Sequence, residues 1–112
     1  MGNSSSATPE ATAFVQTAIT TNNITIFSKT YCPYCDQAKR ELTSVGAPFK
    51  VYELDTMSNG DAIQSALEQL TGRSTVPNVF VKTTTIGGGS DVAKLNRQGK
   101  LVALLQEAGV LA

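Results

Sequence analysis

The sequence predicts an α/β domain in which one small mixed sheet carries helices on both faces. Three observations lead there. Short β-branched and aromatic segments alternate with segments whose apolar residues recur at helical spacing. A strand, a helix and a second strand of the same sheet imply a right-handed crossover with parallel pairing. The close spacing of the last two strand segments, Val81 to Ile86, implies an antiparallel hairpin. The 112 residues suit one domain with one modest core, and no internal repeat is present.

Residues 1–9, MGNSSSATP, are small and polar. A disordered tail is expected over 1–10 and a folded domain over 11–112. From Glu10, the apolar residues Ala11, Phe14, Val15, Ala18 and Ile19 mark an amphipathic helix ending near Asn22-Asn23. Ile24 to Ser28 (ITIFS) reads as a strand. Pro33 opens a helix that Gly46 stops. Pro48 to Leu54 reads as a second strand. Ala62, Ile63, Ala66, Leu67 and Leu70 then share one helical face, with Gly72 as the stop. Asn78 to Val81 is a third strand and Thr84 to Ile86 a fourth. Ser90 or Asp91 is expected to cap a helix containing Val92 and Leu95, which turns at Gly99. A last amphipathic stretch holds Leu101, Leu104, Leu105 and Ala108.

Composition narrows the function. Nine basic and nine acidic residues balance, so nothing suggests a broad nucleic-acid surface. No apolar run reaches the roughly 20 residues that cross a bilayer, and no signal peptide is visible. Histidine is absent, which removes Ser-His-Asp and Cys-His nucleophilic chemistry. With two cysteines and no histidine, one chain does not complete a thiol-and-imidazole zinc site. Two cysteines are also too few for the disulfide framework of a small secreted scaffold.

Both cysteines lie in SKTYCPYCDQAK, with Pro33 and Tyr34 between Cys32 and Cys35. A bare CxxC is as readily a pair of inert buried thiols or a metal clip as a redox couple. Pro33, the strand before and the helix after favour the redox couple. Pro at the first helical position places Cys32 at or beside the N-cap. Free N–H groups and the positive end of the helix dipole there stabilise a thiolate, lowering its pKa below the usual thiol value of about 8.5. Lys29 adds positive potential. Asp36, in the same turn, opposes a thiolate and is expected to point outward. Cys35 lies one turn in, so the two sulfurs can meet.

A second feature is STVPNVF. Pro77 is either a plain strand-start residue or part of a cis Val76-Pro77 bond that turns the Val76 backbone toward an extended peptide. Gly87 to Gly89, followed by Ser90 and Asp91, read equally as a flexible turn with an N-cap or as a carboxylate-binding helix start. Gln64 alone reads as a solvated helix position.

TYCPYC, TVPNVF and IGGGSDVAKLNRQGKL stand in the order and spacing of a dithiol glutaredoxin of the thioredoxin superfamily, and the resemblance covers about residues 12–112. It implies a thioredoxin-like three-layer fold, with a four-stranded mixed sheet flanked by helices. It also implies glutathione as the electron donor and no resident metal. By resemblance, Cys32 is the nucleophile and Cys35 the resolving thiol. Lys29 and Gln64 would hold the glycine carboxylate of glutathione, and Tyr34 would pack beside the tripeptide. Val76 would pair its backbone with the cysteine moiety, before cis-Pro77, and Thr75 and Pro77 would also contact glutathione. Gly88, Gly89, Ser90 and Asp91 would bind the γ-glutamyl end. The physics agrees: a helix N-terminus suits a carboxylate, and Asp91 suits an ammonium. Two departures stand out. The family usually has a basic residue directly before Thr-Val-Pro, where this chain has Ser74 with Arg73 one earlier. The turn after the third strand is Lys82-Thr83-Thr84 rather than a glycine turn.

The resemblance therefore implies a cytoplasmic glutathione-disulfide oxidoreductase, acting as a monomer on glutathionylated and disulfide-containing proteins, with glutathione reductase supporting it indirectly. The alternative is a [2Fe–2S] dimer held by two Cys32 thiolates and two glutathiones; Pro33 speaks against it. MGNSSS also fits the Met-Gly-x-x-x-Ser/Thr pattern for myristoylation of Gly2. An unmodified tail is the preferred reading, and membrane contact is expected only if Gly2 is acylated.

Overall fold

The computed structural model describes residues 6–112. The first five residues, which hold Gly2 and half of the expected tail, lie outside the described residues. Helix α1 spans Pro9–Thr21, so it takes in Pro9 and Glu10 at the edge of that tail. Thr8 caps it, its hydroxyl accepting from the Ala11 N–H at 3.0 Å, and Pro9 occupies the first turn, where no N–H is needed. Strand β1 (Ile24–Ser28), helix α2 (Pro33–Ser44) and strand β2 (Lys50–Glu53) form the first crossover. The second strand is shorter than expected, because Leu54–Thr56 wind into one 3-10 turn. Helix α3 (Gly60–Thr71), strands β3 (Asn78–Val81) and β4 (Thr84–Gly87), and helices α4 (Gly89–Arg97) and α5 (Lys100–Glu107) complete the chain.

The sheet order is β2-β1-β3-β4. β1 runs parallel to β2 and antiparallel to β3, and β3 is antiparallel to β4. The expected crossover and hairpin are thus both present. The central position of β1 explains its composition: both faces are covered, so all five residues are buried. Alternation splits the core in two. Phe27 and Phe80 face α1 and α3, packing with Val15, Ile19, Ile63 and Leu67. Ile24, Ile26, Val79 and Val81 face the other way, onto Leu42, Val92, Leu101 and Leu105. The Phe27 and Phe80 rings meet edge to face at 5.8 Å.

The hairpin turn needs no glycine. Lys82 takes the left-handed conformation, with φ of 55°. Its N–H donates to the Asn23 carbonyl at 2.8 Å and its Nζ to Asn23 Oδ1 at 2.9 Å. A lysine is held there by contacts to the start of β1, not by its own preference.

Pairing positions the site. Phe27 lies opposite Asn78, and Val79 opposite Gly87. The end of β1, the start of β3 and the end of β4 therefore lie at one end of the sheet. The segments beyond them, around Cys32, Val76-Pro77 and Gly88, converge there.

Candidate functional site

Cys32 is the N-cap of α2, with extended backbone, and Pro33 is at the first helical position. Cys32 and Cys35 are joined as a disulfide, their Cα atoms 5.1 Å apart. The Cys35 N–H donates to Cys32 Sγ at 3.2 Å. The same donor, and the dipole behind it, would hold charge on that sulfur after reduction. The two thiols differ in access: Cys32 is half-buried, whereas Cys35 is fully buried. Asp36 does point outward, its side chain 55% exposed and 4.0 Å from Lys39.

Across from Cys32, the Val76-Pro77 bond is cis. The Val76 carbonyl oxygen lies 3.8 Å from Cys32 Sγ, so the loop before β3 meets the N-terminus of α2 at the reactive sulfur. The loop is tied down from behind. Asn78, fully buried, donates to Thr71 Oγ1 at the end of α3 at 3.2 Å and accepts from the Thr85 hydroxyl of β4 at 2.6 Å.

The third component is the start of α4. It begins two residues earlier than a Ser90 cap would place it, and three earlier than an Asp91 cap: Gly88 is the N-cap and Gly89 the first helical residue. Asp91 is therefore not the cap but the third residue of the helix, and its carboxylate reaches back to accept the Gly88 N–H at 2.8 Å. That N–H is spent within the protein, whereas Ser90 and Asp91 stand exposed in the first turn, where helix N–H groups have no intrahelical acceptor. Gly89 is buried against the Tyr34 carbonyl of α2, and a side chain there would collide with it. Glycine lets the two helix starts touch, and that contact sets the width of the site.

Between these parts runs a cleft of about 310 Å³, lined by Tyr34, Arg73, Thr75, Val76, Pro77, Gly88, Gly89 and Ser90. Tyr34 is 62% exposed at its rim. Seven of those residues are expected glutathione contacts, and Arg73, the basic residue displaced by one position from the family's usual place, joins them. Its Nη1 lies 3.6 Å from Asp91 Oδ2 and its Nη2 3.5 Å from Thr75 Oγ1.

Lys29, Gln64 and Asp91 do not line this cleft; Asp91 borders it only through its pairing with Arg73. Gln64 donates to the Ser74 carbonyl at 2.5 Å and borders a separate depression with Asp61 and Glu68. Lys29 is half-buried in the loop before Cys32. That loop has an anchor which the sequence did not signal. The Asp55 carboxylate accepts the Thr30 N–H at 3.0 Å and also the Thr30 hydroxyl. The Thr30 hydroxyl chiefly, then its N–H, with Lys29 nearby, hold the Asp55 carboxyl below its usual value. Among the described residues, no three His, Cys, Asp or Glu side chains gather as a metal-ligand set.

A three-layer fold with a CxxC pair at a helix start, facing a cis-proline loop, defines a thioredoxin-like thiol-disulfide protein. The model of the Glutaredoxin family matches residues 24–86. Glutaredoxin-C1 of Arabidopsis thaliana is 58% identical over 89 residues, covering 80% of this chain and 71% of that one. Wheat glutaredoxin superposes with a TM-score of 0.86 at 50% identity, over 92% of this chain and 97% of that one. The buckwheat glutaredoxin–glutathione complex superposes with a TM-score of 0.84 at 44% identity, over 94% and 99%. The chain belongs to the glutaredoxin family, the glutathione-dependent thiol-disulfide oxidoreductases.

Proposed function

We propose that this protein reduces protein–glutathione mixed disulfides through Cys32 alone, and protein disulfides through Cys32 and Cys35 together, with glutathione as reductant. The observation that carries this is the unequal pair at the α2 start: a half-buried Cys32 at the N-cap bonded to a fully buried Cys35. Only the first sulfur is open to a bulky disulfide.

In the first route, the Cys32 thiolate attacks the glutathione sulfur of the mixed disulfide. That S–S bond breaks, the protein leaves as its thiolate, and Cys32 carries the glutathionyl group. A glutathione thiolate then attacks this disulfide at the glutathionyl sulfur. Oxidised glutathione leaves, and the Cys32 thiolate returns. In the second route, Cys32 attacks a protein disulfide and the Cys35 thiolate displaces the protein from the resulting mixed disulfide. The Cys32–Cys35 disulfide seen in the structure is the product. Two glutathiones reduce it. A low Cys32 pKa helps in both routes, because it raises the thiolate fraction and makes Cys32 a better leaving group.

The cleft supplies the glutathione subsites of this reading. Val76 and Pro77 face Cys32 and would align the cysteine moiety. The N–H groups of the α4 first turn would take the γ-glutamyl carboxylate, and Asp91 its ammonium. Tyr34 and Thr75 would flank the tripeptide. Lys29 and Gln64 would reach the glycine carboxylate only from outside the cleft, Gln64 after releasing the Ser74 carbonyl. Glutathionylated and disulfide-bearing proteins are the substrates of the scheme, and glutathione reductase would regenerate the reductant. Nothing in the geometry favours the cluster-binding alternative.

The test is a glutathione-coupled assay with a glutathionylated peptide and a peptide disulfide. Cys32→Ser is expected to abolish both reactions. Cys35→Ser is expected to keep deglutathionylation and lose disulfide reduction. Loss of both in Cys35→Ser would refute the scheme.

A further inference from the structure

Arg73 is under-used where it stands. A guanidinium has five N–H donors. Here Nη2 reaches Thr75 only at 3.5 Å, Nη1 pairs with Asp91 at 3.6 Å, and the buried Nε has no hydrogen-bond partner among the described residues. A buried donor without an acceptor is costly. The long ion pair returns little, since both side chains are partly open to water, at 34% and 52% exposure. The arrangement is cheap to open.

Its position is specific. Arg73 lies over the N-cap of α4, and a Cβ on Gly88 would come 2.5 Å from its Nη2. Glycine makes the room the guanidinium occupies. The start of α4 lines the same stretch of cleft through Gly88, Gly89 and Ser90, and the exposed Asp91 carboxylate stands just outside it, beside Arg73. One cation, one carboxylate and a row of N–H groups fit a zwitterionic α-amino acid end, which carries one charge of each sign.

Resting on the glutathione reading above, we propose that Arg73 is a specificity-determining residue for the γ-glutamyl end of glutathione, working by exchange of ion pairs. In the free protein, Asp91 holds Arg73. On binding, the α-ammonium of the γ-glutamyl group takes over Asp91. The released guanidinium turns to the α-carboxylate, which the α4 N–H groups hold from the other side. One weak internal pair is replaced by two pairs to the ligand, and the planar fork of arginine suits a carboxylate. Ligands with only one of the two charges gain only half of the exchange.

The test compares three adducts of one peptide thiol: with glutathione, with 4-aminobutanoyl-Cys-Gly, which lacks the α-carboxylate, and with glutaryl-Cys-Gly, which lacks the ammonium. The full chain is assayed as wild type, Arg73→Gln and Arg73→Lys, reading kcat/KM for each adduct. Wild type is expected to prefer the glutathione adduct to both analogues. In Arg73→Gln, the preference for glutathione over the 4-aminobutanoyl adduct should fall about tenfold. Arg73→Lys should recover part of it, since an ammonium pairs but does not fork. An equal loss on both adducts would show that Arg73 acts through the shape of the cleft, and would overturn the proposal. So would a gain on the glutathione adduct, which would make Arg73 only a competitor for Asp91. A wild type inactive on all three adducts would overturn the parent glutathione reading as well, so the two failures are distinct.

Discussion

Replacing Gly89 by alanine tests the contact on which the cleft depends. The position has no positive φ, so alanine suits the backbone and the only obstacle is space. A Cβ would collide with the Tyr34 carbonyl oxygen, and it would lie 3.0 Å from the Tyr34 carbonyl carbon and 3.1 Å from Gln37 Oε1. Gln37 can swing aside. The Tyr34 carbonyl cannot, because it belongs to the first turn of α2. Helix α4 must therefore back away, loosening Val92 and Ala93, which are 0% and 2% exposed. Overpacking of this kind costs about 1–3 kcal/mol, and alanine in a helix returns about 0.5–1 kcal/mol over glycine. The net expectation is a destabilisation of about 1–2 kcal/mol, or a Tm lower by roughly 4–8 °C for a chain of this size. Urea and thermal unfolding of the reduced proteins measure it. The same displacement widens the cleft, so kcat/KM for a glutathionylated peptide should fall. Ser90→Ala, at the exposed next position, is the control and should shift stability by less than about 0.5 kcal/mol. A Gly89→Ala protein as stable and as active as wild type would refute the close-packing argument.

Asp55 supplies a pH prediction. Its carboxyl pKa is lowered in the fold, chiefly by the Thr30 hydroxyl, so its contribution is fully present above the unfolded value of about 3.9 and is lost as pH falls through the lower folded value. Asp55→Asn should remove that part of the acid limb in urea unfolding below about pH 4, and it should slow thiol exchange at neutral pH by freeing the loop before Cys32. Superimposable acid limbs in the two proteins would refute the anchor. Phe80→Ala empties a site 1% exposed in the centre of the sheet and should cost about 3–5 kcal/mol in urea unfolding. A loss below about 1 kcal/mol would mean that this half of the core collapses around the gap.

Much of the fold and of the reactive pair was legible because the signals are local. Strand and helix periods are read within a few residues. The N-cap role of Cys32 follows from Pro33 beside it. Pro77 before a strand fits a plain strand start as well as a cis bond, and only the family resemblance implies the cis form that the structure shows. The start of α4 was misplaced because Ser90 and Asp91 are good caps by type, yet the backbone there is set by Gly89 docking on Tyr34, a contact between helices. The 3-10 turn after β2 and the left-handed Lys82 likewise depend on neighbours remote in sequence.

The alternation of elements, the order of the two thiols and the family were determined by the sequence itself, since each rests on adjacent residues or short spacings. The tertiary structure decided which side chains meet: Asp55 with Thr30, 25 residues apart, Arg73 with Asp91, and Gln64 with Ser74 instead of the cleft. The physical reason is that a charge or donor on a solvated helix or loop has no local preference for its partner. Only when the strands register and the helices pack does one acceptor come within reach.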